Sequence, residues 1–370
     1  MLFFIAIITF IALLYGFQIS KYRIGWDKIQ SVNSQAYVPK VSVVIAMRNE
    51  ESEIIRLITD LKKQIYPTDK LEFILVNDHS SDATWELLQQ SAMDNLQIVN
   101  MPYGEFGKKN AIKKAVALAE GEIILVTDAD CSFLSTWVQT MASYFEDSSI
   151  KLVSGPVGFH KQKGVLQNLQ ALEFASLIGS GAGAIGIDSA IFCNGANMAY
   201  RKDVFLEVNN FESDTSASGD DVFLLHSIKA KYPKAIAFAK DENAIVITKG
   251  MQSIKAFINQ RKRWTAKSSS YKDWASIYTS FLVLFTNLIG LFFLGLLFFD
   301  VNYFYYFISY FGIKFLADLF LLYPVLKFFK RADLIKWIFP FELFYSFYIV
   351  LIVALSFTKS FEWKGRTHKK

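Results

Sequence analysis

Cysteine is almost missing from this chain: 370 residues contain two, Cys131 and Cys193. Neither a disulfide framework nor a cysteine-based zinc site is supported by so few, and a reducing, cytosolic setting suits the central part. Histidine is also scarce, at four residues, and none is spaced to form a metal-binding pair with His79. A block of like charge is absent too, because a net charge of +5 is spread with acids interleaved. Nucleic acid is therefore not an expected partner.

What the chain has in quantity is apolar surface. Mean hydropathy is +0.27, and the 35 phenylalanines gather towards the two ends. Residues 2–18 carry no charge, and Lys21, Arg23 and Lys28 follow them. That order predicts an uncleaved membrane anchor over 1–22 rather than a signal peptide, with the next domain on the cytoplasmic side. Three more stretches, 277–299, 303–326 and 338–357, are each long enough to span. They predict a membrane region over 276–357, followed by a basic tail, 358–370. Four spans would leave that tail outside against the charge rule, so one stretch is expected to be re-entrant or interfacial. Asp318 would need a partner within its apolar stretch.

Between these ends, residues 38–270 alternate short apolar runs with amphipathic segments, which predicts an α/β domain with a mostly parallel sheet. Strands are expected at 41–46, 73–77, 96–100 and 123–127, with helices at 51–64, 83–90 and 108–119. Ligands of such folds collect at the carboxyl ends of strands, and the polar clusters fall there. The first strand runs into Met47, Arg48, Asn49 and Glu50, and the second into Asp78, His79 and Ser80. Asp78 is placed to accept hydrogen bonds from a base or ribose, whereas Ser81 or Asp82 can serve as a helix cap. Lys108 opens a helix, where it can hold a phosphate or be simply solvated. The fourth strand stops on Asp128 and Asp130, two hard oxygen ligands for a divalent cation. A glycine-rich run, 179–184, suits close packing or a mobile acceptor-site loop. Asp220 and Asp221 begin a later helix, where they are a possible site or complement the helix dipole. Gln260, Arg263 and Trp264 share one helix before the apolar region, as a site or as a lipid-facing basic patch.

In their order, these pieces resemble the family 2 glycosyltransferases of GT-A fold, in the membrane branch that includes cellulose, chitin and hyaluronan synthases and ceramide glucosyltransferase. The resemblance runs from Val41 to Trp264. It implies that Ala46, Arg48, Glu50 and Asp78 bind the nucleoside; Lys108, read from its helix start alone, is a further candidate for the phosphates. It further implies that Asp128 and Asp130 hold Mg²⁺ or Mn²⁺ with the diphosphate. Asp220 and Asp221 would form the acidic pair whose second member is the base, and Gln260, Arg263 and Trp264 would lie by diphosphate and acceptor. Three departures stand out: Asn77 replaces a frequent first aspartate, Asp220 replaces glutamate, and Thr265, Ala266 and Lys267 stand where a glycine often follows the Arg-Trp pair.

The expected function is an inverting, metal-dependent transfer of a sugar from a nucleotide donor, a UDP-sugar foremost. The acceptor would be lipid-linked, a glycolipid or a polysaccharide at the cytoplasmic membrane face. The rivals are a processive polysaccharide synthase and a catalytically silent nucleotide-sugar-binding membrane subunit. A transporter would need more spans and paired broken helices.

Overall fold

The computed structural model describes the backbone of residues 2–32, 34, 36–208, 220–268, 270–357, 360–363 and 366–369, and the side chains of 9–32, 34, 36–208, 221–268 and 270–357. The chain opens on helix α1 (Leu2–Lys28), which runs past the apolar stretch to include Lys21, Arg23 and Asp27. Apolar runs rich in β-branched residues then form four parallel strands, β1 (Val41–Met47), β2 (Leu71–Asn77), β3 (Leu96–Asn100) and β4 (Ile123–Thr127). Of these, β1, β2 and β4 are buried on both faces and β3 is the half-buried edge.

Helices α2 (Ile54–Lys62), α3 (Thr84–Gln89) and α4 (Lys108–Leu118) connect them. In α2 the buried residues are Ile54, Leu57, Ile58 and Leu61, one apolar stripe at helical spacing. Helix α2 is shorter than expected, because Asn49 takes a left-handed φ of 54° and the chain turns before helix begins.

The remaining elements are β5 (Ser132–Phe133), α5 (Trp137–Ser143), β6 (Leu152–Ser154), β7 (Val157–Phe159), α6 (Val165–Ile185), β8 (Asn197–Arg201), α7 (Lys202–Val208), α8 (Asp220–Lys231), β9 (Ile236–Phe238), β10 (Val246–Thr248), α9 (Ile254–Ser268), α10 (Trp274–Leu296), α11 (Phe304–Phe328) and α12 (Ile335–Ser356). The main sheet runs β3-β2-β1-β4-β8-β6-β9. Pairs β3/β2, β2/β1, β1/β4 and β6/β9 are parallel, and β8 is antiparallel to both neighbours. Successive strands step one way from β1 to β3, then return to place β4 on the other side of β1. That reversal opens a crevice beyond the carboxyl ends of β1 and β4. A small sheet, β5-β10-β7, lies beside it.

The glycine-rich run is not a loop. It is the last third of α6, and it lets α1 cross at backbone contact. A Cβ on Gly183 would lie 2.1 Å from the Tyr22 carbonyl oxygen, and one on Gly25 would lie 1.9 Å from that of Gly183. Only glycine permits this approach.

Among the described residues, two helices are long and apolar enough to cross a membrane, Trp274–Leu296 and Ala332–Ser356. The third expected stretch forms α11, which carries Lys314 and Asp318 internally and does not qualify by that measure. Of the tail, 358–370, no side chain is described.

Candidate active site

The loops after β1 and β2 are built as one unit. Arg48 Nη1 donates to the carbonyl oxygens of Asp78 (2.9 Å) and His79 (2.5 Å). Asn49 Oδ1 accepts from the Ser81 amide at 2.8 Å. Asp82, not Ser81, tethers the start of α3, with Oδ1 accepting from the Thr84 amide at 3.1 Å. Asn77, at the departure from the family pattern, donates to Asn100 Oδ1 at 2.7 Å and accepts from the Ser80 amide at 3.2 Å. It therefore shapes the β2 turn.

Asp78 is buried, with Oδ2 accepting from the Gly107 amide at 3.0 Å and Oδ1 3.1 Å from His79 Nδ1. Gly107 sits at φ 95°, a conformation that favours glycine, and delivers Lys108 to the first turn of α4. Lys108 Nζ pairs with Asp128 Oδ1.

The acidic turn after β4 is held from both sides. Arg56, on α2, forks over its backbone, with Nη1 donating to the Cys131 carbonyl (2.6 Å) and Nη2 to that of Ala129 (3.0 Å). Glu53 holds the same guanidinium, with Oε2 accepting from Nε at 3.2 Å, and also pairs with Lys249 at 2.5 Å. Thr248 Oγ1 donates to Asp130 Oδ2 at 3.0 Å. Burial, with the Asp130 and Asp128 charges beside it, pushes the Cys131 thiol up, which favours its neutral form.

Asp221 stands in the first turn of α8. Its Oδ2 accepts from the Gly195 amide at 3.0 Å and its Oδ1 from the Val222 amide at 2.9 Å. A Cβ on Gly195 would be 3.3 Å from Asp221 Cβ, so a side chain there would crowd the carboxylate. Burial, then the Asp221 charge, raises the Tyr271 phenol. Asp220 opens α8, and its side chain lies outside the described ones.

On α9, Gln260, Arg261, Arg263 and Trp264 all line the crevice, and of these Arg261 is the buried one. Arg261 is 3% exposed and pairs with buried Glu173, at 2.8 Å from Nε and 2.6 Å from Nη2. Tyr348 of α12 donates to the other Glu173 oxygen at 2.5 Å. Sequence reading missed Arg56, Thr248 and the Arg261–Glu173 pair. Arg56 follows Glu53 by three residues and looks like an ordinary surface helix pair, so no local signal marked it.

One cavity of about 980 Å³ brings the separate motifs together. It is lined by Ala46, Arg48, Glu50, Asp78, Lys108, Asp128, Asp130, Asp221, Gln260, Arg263 and Trp264, and it continues between the C-terminal helices. Among the described residues no three His, Cys, Asp or Glu side chains cluster as a self-contained metal site. Two carboxylates at a cavity wall suit Mg²⁺ or Mn²⁺, which bind through one or two carboxylates and complete their shell with phosphate oxygens and water.

Residues 42–208 match the profile described as Glycosyl transferase family 2. That match ends before Asp221 and α9. Glycosyltransferase AglE of Haloferax volcanii is 26% identical over 208 residues, 55% of this chain and 66% of that protein. Beta-monoglucosyldiacylglycerol synthase of Trichormus variabilis is 31% identical over 122 residues, 32% of this chain and 26% of that protein. The chain thus spans less than two thirds of either relative. In structure it is similar to mannosyltransferase PcManGT from Pyrobaculum calidifontis, solved in complex with GDP-Man and Mn²⁺. The TM-score is 0.58 at 17% identity, with 95% of this chain and 96% of that one covered, which establishes likeness of fold. Residues 42–208 thus form a family 2 glycosyltransferase domain, and the strand order around β1 with this shared architecture makes the fold GT-A.

Proposed function

We propose that the chain transfers a sugar, with inversion, from a nucleoside diphosphate donor to a hydroxyl of a lipid-linked or glycan acceptor at the cytoplasmic membrane face. The observation that carries this is the convergence of Asp78, Asp128, Asp130, Asp221 and Arg263 on one cavity. The domain is 38–270, anchored by α1 and by helices within 276–357. A membrane setting is supported by the two long apolar helices, and a lipid acceptor by the name of the diacylglycerol-glucosylating relative.

In the mechanism, Arg48, Glu50 and Asp78 seat the nucleoside of a UDP-sugar, and Lys108 and Arg263 face its diphosphate. Asp128 and Asp130 would hold Mg²⁺ or Mn²⁺, which when bound would neutralise charge on the leaving group. Asp221 takes the proton from the acceptor hydroxyl as its oxygen bonds to the anomeric carbon and the bond to the diphosphate breaks. Two backbone amides fix that carboxylate, and each oxygen retains a lone pair for the proton. Asp220 assists at the same helix start, and Gln260 and Trp264 bound the acceptor side.

The test is nucleotide release by purified protein from UDP-, GDP- and dTDP-sugars, with Mn²⁺ and with or without membrane lipid extract. Asp221→Asn should lower turnover by about 10²–10⁴-fold, the usual contribution of a general base, and leave donor affinity largely intact. Full turnover by this variant would remove the base assignment. Donor binding without release under any condition would favour a silent subunit.

A further inference from the structure

The cavity has two parts with different linings, cations and carboxylates in equal number at the strand ends and mostly apolar walls farther in. The outer half, at the strand ends, is lined by the cations Arg48, Lys108, Lys249, Arg263 and Lys267 as well as by its carboxylates. The inner half runs between α1, α6, α10, α11 and α12. Its wall includes Ile19, Leu177, Val283, Leu321, Phe341 and Ile349, with hydroxyls from Ser176, Ser180, Thr279 and Tyr345.

Charge in this inner half is closed on itself with an acidic excess. Asp318, Glu342 and Glu173 line the wall. Lys314, buried behind them, pairs with Glu342 and lies 2.9 Å from Asp318. Tyr15 donates to the other Asp318 oxygen at 2.6 Å, and Arg261 is occupied by Glu173. Three carboxylates thus meet two cations, both already bound, in a low-dielectric setting. A phosphate placed here would have like charge beside it and no available cation, a costly arrangement. Aliphatic chains and uncharged hydroxyls meet neither penalty.

We propose that the acceptor is an uncharged lipid, with its aliphatic chain in this inner chamber and a hydroxyl of its head reaching Asp221, and that a lipid phosphate is discriminated against. This rests on the transferase reading of the same cavity and narrows it to one acceptor class. The difference in lining then sorts the two substrates, with diphosphate among the cations of the outer half and lipid against the apolar, acidic inner wall.

The experiment uses the full chain in an uncharged detergent, with the donor that supports nucleotide release. Dioleoylglycerol, a polyprenyl phosphate and a soluble oligosaccharide are compared as acceptors, with the product identified by mass. Dioleoylglycerol should give the largest kcat/KM, at least about tenfold above the lipid phosphate. Shortening its chains should raise the acceptor KM by up to about fourfold per methylene withdrawn from the chamber. Val283→Trp, which fills the chamber, should raise the acceptor KM about tenfold, and the chain-length series on the unaltered protein tests the same point without a substitution. Preference for the lipid phosphate or the oligosaccharide, with sugar still transferred, would overturn this proposal and leave the transferase reading standing. Absence of transfer from any donor to any acceptor would overturn both.

Discussion

Replacing Arg56 with methionine asks whether the acidic turn depends on a side chain outside the cavity. Its guanidinium bonds the carbonyls of Ala129 and Cys131, the residues on either side of Asp130. Hydrogen bonds to charged groups contribute about 1.5–3 kcal/mol each when well shielded. The Arg56 side chain is 32% exposed, so solvent screening reduces the pair to about 2–3 kcal/mol in total. Methionine keeps much of the apolar stem, and Glu53 retains Lys249 as its partner. The greater effect is expected on rate, since a displacement of about 1 Å in a reacting group can cost about 10²-fold. Steady-state kinetics and thermal melting on the same preparation should show kcat reduced roughly 10- to 100-fold with the fold retained. Arg56→Lys should recover only part of it, because a point charge cannot fork to two carbonyls. If Arg56→Met kept kcat within about twofold while melting fell, Thr248 and the strand alone would hold the turn, and the reasoning would be wrong.

The other predictions address packing, protonation and metal. Gly183→Val drives a side chain into the Tyr22 carbonyl and should cost at least about 1–3 kcal/mol; an unchanged melting temperature would refute backbone contact between α1 and α6. Burial holds His226, which is 3.0 Å from Ser276 Oγ, below its usual 6.5, with Asp273 pulling it up and Lys229 pushing it down. The unfolded chain therefore takes up this proton first, so stability is full above about pH 6.5 and falls as pH drops towards the lower folded value. Melts from about pH 8 to 5 should show that slope, and His226→Gln should flatten it; an equal slope in both proteins would place the pH dependence elsewhere. Excess EDTA, and separately Asp128→Asn, should weaken both donor affinity and turnover, and undiminished activity in the chelator would argue against a catalytic cation.

Much of the site was legible because its signals are local. An apolar run that ends on Asp128 and Asp130 announces a buried strand and its polar exit within a few residues, and parallel pairing brings such exits to one edge. The same logic placed Asp78, and it placed Lys108 at a helix start. What stayed hidden depends on direction and on distant neighbours. Arg261 and Arg263 lie two positions apart on one helix, so they point to different sides. Only the position of Glu173 decides that Arg261 is the buried, ion-paired member of the two, although both line the cavity.

The glycine run shows the same division. Composition alone left it open between packing and a loop, and α1 crossing at the carbonyls of Tyr22 and Gly25 makes it a helix contact. Likewise Asp318 was marked as needing a partner, and it finds Lys314 on its own helix and Tyr15 on α1, while Glu342 of α12 shares Lys314. By itself, then, the sequence determined the α/β core and which carboxylates end its strands, because periodicity and local chemistry act over a few residues. The tertiary structure decided that these carboxylates share a cavity with an acidic, apolar inner chamber, because charge pairing and helix crossing depend on residues hundreds of positions apart.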